Sequence, residues 1–139
     1  MELPTADNRL KAEFDRLRSE LELAEVQLEE SNRLVQSNQN EMRQIQADLD
    51  NADLARYEAT TTLEKLETQQ PVDDDLALRI SEYKALVDEA IRNIQRLELE
   101  RGEAEVNLSL ANHGRIEALH RVSRLQTSLR AFDTFQISV

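Results

Sequence analysis

Counted in sevens from Leu10, this chain keeps one apolar frame for eight heptads. One set of positions, a, reads Phe14, Leu21, Leu28, Val35, Met42, Leu49, Arg56 and Leu63; its interleaved partner, d, reads Leu10, Leu17, Ala24, Ser31, Asn38, Ile45, Ala52, Ala59 and Leu66. A second frame follows. Its a set is Ile80, Val87, Ile94, Arg101, Leu108, Arg115, Val122 and Leu129, and its d set is Leu76, Tyr83, Ala90, Leu97, Ala104, Ala111, Ala118, Leu125 and Phe132. Of these 34 positions 29 are apolar, where a chain of this hydrophobicity would place roughly 14 by chance. A seam sustained at 3.5 residues per turn specifies a coiled coil rather than a globular amphipathic helix.

Composition supports long helices over a globular core. The chain of 139 residues has three Phe, two Tyr and no Trp, only four Gly and Pro together, and 32% charged residues. Such a mixture suits extended helices and lacks the aromatic side chains that fill a compact interior. The expected fold class is all-α: two long helices in an antiparallel coiled-coil hairpin, with dimerisation into a four-helix assembly as a further expectation. The whole chain, 1–139, reads as a single domain.

The frame breaks once, between Gln70 and Leu76, where Pro71 and Asp73-Asp74-Asp75 stand. Proline removes a backbone donor and drives its predecessor out of helical geometry, while an Asp caps the following helix and favours its positive end. These signals predict a helix over 6–68 that starts near Pro4 and Thr5 or Asp7, a turn over 69–75, a second helix over 76–132 and an irregular tail over 133–139. Gly102 and Gly114 each weaken a helix by about 1 kcal/mol relative to Ala. The frame nevertheless runs through them without a slip, so the second helix is expected to be continuous there.

Two helices of about 57–63 residues, each roughly 85–95 Å long, most simply fold back on one another. With the turn centred near Asp73, facing residue numbers add to 146. The layers then place Ala52 with Ile94, Ala59 with Val87, Met42 with Ala104, Val35 with Ala111, Leu28 with Ala118 and Ala24 with Val122, small repeatedly against large. A register one heptad shorter also gives passable layers, but it moves the turn off the break. Charge favours the same arrangement. Residues 13–30 carry seven acidic side chains, and they would lie along a stretch, 113–132, that carries Arg115, Arg121, Arg124 and Arg130. A parallel dimer would set like charges together.

The net charge of −11 opposes nucleic-acid binding, which needs a basic footprint. No cysteine is present to form a disulfide or a thiolate metal site. No apolar run approaches a membrane span, and no signal-peptide core stands at the N-terminus. A soluble, intracellular chain is expected, with cytoplasm and nucleus not distinguished. There is no phosphate loop, nucleophile elbow or zinc helix motif, so neither enzymatic activity, a cofactor, a metal nor a small-molecule substrate is expected. His113 and His120 fall at outward positions and read as surface residues. Asp73-Asp74-Asp75 reads as a capped turn, since it lacks the alternating ligands and glycine of a calcium loop. The sequon Asn107-Leu108-Ser109 and the terminal Ile137-Ser138-Val139 read as chance matches to a glycosylation site and a peptide ligand.

Five polar residues interrupt the seam: Ser31, Asn38, Arg56, Arg101 and Arg115. Two readings stand side by side for them. They set register or oligomeric state at some cost in stability, or their long side chains lead their polar ends out to water. Either way the seam is weakest over 31–42 and 101–115, where local opening is expected. Apolar residues outside the seam bear more on function. Leu99, Val106 and Leu110 face away from helix one, Leu86, Ile91 and Leu119 widen the seam at its flanks, and Leu23, Val26 and Leu54 stand outward on helix one. The first six are the candidate partner-binding residues, for self-association or for a helical partner. In its heptads alone the chain resembles arms of chromosome-structuring ATPases, golgin-like tethers and centrosomal or cytoskeletal scaffolds. That resemblance carries over no residue roles. It implies either an interaction module within a larger assembly or a passive spacer.

Overall fold

The break between the two heptad frames is built by short-range hydrogen bonds at both helix ends. A computed structural model describes residues 6–70 and 73–138, with the side chains of 8–70 and 73–133. Helix α1 runs Ala6–Glu67 and α2 runs Asp74–Ser138. At the end of α1 the Thr68 hydroxyl donates to the Lys65 carbonyl at 2.8 Å, and the Gln69 amide donates to the Leu66 carbonyl at 3.2 Å. Each satisfies a carbonyl that the helix itself leaves open. At the start of α2 the Asp73 carboxylate accepts from the Leu76 amide at 2.7 Å, and the Asp73 carbonyl accepts from Ala77 at 3.0 Å. Asp73 is therefore the N-cap, and Asp74 and Asp75 put negative charge in the first turn, where the helix dipole favours it. Pro71 and the expected helix start at Pro4 and Thr5 lie outside the described residues. Asp73→Ala should cost about 1 kcal/mol. Thermal unfolding followed by circular dichroism checks this, and an unchanged midpoint would contradict the cap.

Three boundaries differ from the sequence expectation. Helix α1 ends at Glu67, one residue before the expected 68. Helix α2 starts at Asp74 rather than 76, because the cap is the first of the three Asp residues. It also continues to Ser138, through residues 133–138 that were expected to be irregular. The seam stops at Phe132, but Asp133-Thr134-Phe135-Gln136-Ile137-Ser138 contains neither Gly nor Pro. A helix needs a breaker or a cap to end, and losing its apolar partner positions is not by itself a stop signal. Gly102 and Gly114 both lie inside uninterrupted helix, as the frame predicted.

The chain divides into two compact units, Met1–Asn38 with Leu108–Val139, and Gln39–Asn107. Within each, α1 packs antiparallel on α2. Fourteen hydrophobic residues are buried among those described, and every one occupies a seam position. In the unit Gln39–Asn107 the core is a cluster of Ile45, Leu49, Ala52, Ile94, Leu97 and Ala104, with Met42 packed against it. The cluster holds both members of each layer that numbers adding to 146 would form here: Met42 and Ala104, Leu49 and Leu97, Ala52 and Ile94. In the unit Met1–Asn38 with Leu108–Val139, Ala24, Val35, Ala111 and Val122 are buried. The rings of Phe14 and Phe132 meet there with centroids 5.6 Å apart and planes inclined by 41°. That contact also satisfies 146; the register one heptad shorter would put Leu125 opposite Phe14.

Candidate interaction surface

Once a and d are committed to the seam, everything at f, b and c of a helix points to solvent. On α2 this sets Leu99, Val106 and Leu110 outward, with 72%, 59% and 65% of their surface exposed. Leu86, Ile91 and Leu119, nearer the seam, are exposed as well. Neither helix of the hairpin covers this face. Leu23, Val26 and Leu54 are exposed on α1. Ile116 is also exposed and was not singled out from the sequence. Its signal was available: the three–four spacing Leu99, Gly102, Val106, Ser109, His113, Ile116 continues to it without a charged residue.

Among the described residues, open grooves border the seam in both units. In the unit Gln39–Asn107, Ala55, Ala59, Thr62, Tyr83, Leu86 and Ala90 line a groove of about 450 Å³, with Glu58 and Glu89 also along it. Small residues at Ala55, Ala59 and Ala90 open it, because they leave the space between the helices unfilled. In the other unit a groove of about 760 Å³ is bounded by Gln27, Ser31, Gly114, Ala118, Arg121 and Arg124. Across it the Arg121 guanidinium donates to the Gln27 side-chain oxygen at 3.1 Å. This contact joins a residue of the basic stretch to one of the acidic stretch, at the flanking positions a 146 register brings together.

The polar seam residues divide. Ser31, Asn38 and Arg101 are half-buried, whereas Arg56 and Arg115 are exposed. No polar or charged residue among those described is buried. The arginines thus carry their charge out to water over the edge of the seam, and Arg101 lies 3.9 Å from Glu105 of its own helix. Other surface ion pairs are local in the same way. Arg33 pairs with Glu29 at 2.7 Å, Arg96 with Glu100 at 2.8 Å, and His113 with Glu117 at 3.1 Å. Arg16 bridges Glu13 and Glu20. Its hydrogen bond holds the Glu13 carboxyl below the usual carboxylate range. The sign follows from the lowered value: that pair supports the fold above the ordinary Glu pKa and loses its effect as pH falls through the depressed one. Exposed pairs of this kind contribute little each.

His120 is exposed, like His113. Among the described residues no three His, Asp or Glu side chains converge in a way that could hold a metal. Nor is any helix there long and apolar enough to cross a membrane. No protein-family model, curated protein or solved structure matches the chain.

Proposed function

We propose that this chain is a non-enzymatic coiled-coil module for protein–protein interaction, an oligomerising segment of a larger scaffold. The observation that carries the reading is the exposed apolar face of α2 at Leu99, Val106 and Leu110. These side chains add nothing to the hairpin's own seam, and grouped exposed apolar residues mark contact surfaces far more than scattered ones do. Protein is the favoured partner, since a net charge of −11 repels nucleic-acid phosphates. A second reading, a spacer in a longer coiled coil, draws on the contact between Phe14 and Phe132, which holds the two ends of the pair together.

Sedimentation tests the self-associating form of the first reading. The chain is expected to associate at about 100 µM, a range suited to a small helical interface. The triple variant Leu99→Glu, Val106→Glu, Leu110→Glu should remain monomeric with unchanged helix content. A native chain that stays monomeric at that concentration, indifferent to the three changes, would remove self-association and leave an outside partner or the spacer reading.

A further inference from the structure

We infer that the partner on the outer face of α2 is a second copy of this chain, laid antiparallel, α2 against α2, in one definite register; the inference rests on the interaction-module reading above. Along this face, residues three and four apart form a second, uncharged stripe: Leu99, Gly102, Val106, Ser109, His113 and Ile116. All six are exposed. They lie on one uninterrupted helix, and their spacing is that of a coiled-coil seam. Nothing lies within 4 Å of the place a side chain on Gly102 would occupy, so another helix can come close there.

Charge on the two borders of the stripe selects the partner and its register. One border reads Glu89, Arg96, Glu103, Leu110, Glu117, Arg124. Turned end for end against itself, it sets Glu89 opposite Arg124, Arg96 opposite Glu117 and Glu103 opposite Leu110. A two-fold axis repeats every pair, so four attractive pairs form and no like charges meet. The other border, in the same register, sets Glu98 opposite Leu119 and Glu105 opposite Asn112. Between the borders Leu99 meets Ile116, Gly102 meets His113, and Val106 meets Ser109, which keeps large residues against small ones in two of the three layers.

The alternatives fail on the same borders. Shifted one heptad one way, Glu103 meets Glu103 and Glu105 meets Glu105. Shifted the other way, Glu103 meets Glu117 and Arg96 meets Arg124. A parallel second copy sets Glu98 beside Glu103.

Charge reversal across the pair tests the register. Arg96→Glu alone and Glu117→Arg alone should each weaken dimerisation about tenfold, because each puts like charges together at two symmetric places. The double variant should return to within about threefold of the native dissociation constant. Arg96 and Glu117 are 21 positions apart on one helix, about 30 Å, so neither can compensate for the other within a chain. The double reversal does not rebuild the local pairs Arg96–Glu100 and His113–Glu117. Recovery therefore reports pairing between chains. Dimerisation without recovery in the double variant would overturn the antiparallel register while leaving self-association intact. A native chain that does not dimerise at all would overturn the second-copy proposal, and the interaction reading would then rest on a different protein. As the native chain has no cysteine, a mixture of Gly102→Cys and His113→Cys chains gives an independent check. Oxidation should link unlike chains in preference to like ones; equal yields would contradict the register.

Discussion

Replacing Leu97 by alanine is expected to cost about 3 kcal/mol and to lower the thermal midpoint by roughly 10 °C. Leu97 is 4% exposed and belongs to the cluster with Ile45, Leu49 and Ile94. Its effect is large because of where it sits. Between the layers at Ala24 and Ala59, most layers of the seam set one large apolar residue against alanine or a polar residue, among them Leu28 with Ala118, Val35 with Ala111, Met42 with Ala104 and Ile45 with Arg101. The Leu49–Leu97 layer alone in that span sets two large aliphatic side chains together. Removing one leaves a gap that two helices, held in place by the Ala52–Ile94 layer on one side and by Ile45 on the other, cannot collapse to fill. Leu49→Ala should behave similarly, and the double variant should cost measurably less than the sum of the two singles. Calorimetry or chemical denaturation measures both quantities. A Leu97→Ala cost below about 1 kcal/mol, or strict additivity with Leu49→Ala, would contradict the packing of this layer.

The second large effect has the opposite sign. Gly102→Ala combined with Gly114→Ala should raise stability by about 2 kcal/mol, measured at concentrations low enough to keep the chain monomeric. Both glycines lie well inside α2, and an added methyl group would meet nothing within 4 Å at either site. The gain comes from the unfolded chain, which loses freedom, and from better helix propensity; no new contact is needed. Amide hydrogen exchange should slow most over 101–115, the weak stretch predicted from the polar seam residues. A stability gain without local slowing would show that opening there is governed by Arg101 and Arg115 instead.

Fold class and register were legible because heptad spacing is a long-range signal repeated many times: the burial of Leu49, Ile94 and Leu97 follows from their frame. The pairing of Phe14 with Phe132 followed from centring the turn on Asp73. The end of α2 was not legible for a local reason. The heptad frame marks Phe132 as the last seam residue but carries no signal for the last helical one, and residues 133–138 hold no breaker. The outcome at Arg56 and Arg115 depended on rotamers, and heptad position alone does not choose between an inward and an outward guanidinium. On the outer face, Leu99, Val106 and Leu110 stood out as large apolar residues. Ile116 does not stand out with them because Gly102, Ser109 and His113, which link it to them, are not hydrophobic.

The ring contact of Phe14 with Phe132 has a mechanical consequence. It brings the beginning of α1 and the end of α2 side by side, so a load applied between the two ends pulls the helices apart across their shared seam. Such a load peels layers one after another, beginning at the aromatic pair, and meets only one layer's resistance at a time. Tension of this kind would yield at low force and return slack gradually as each layer parts. The same two helices pulled along their axes would instead have to break many layers together.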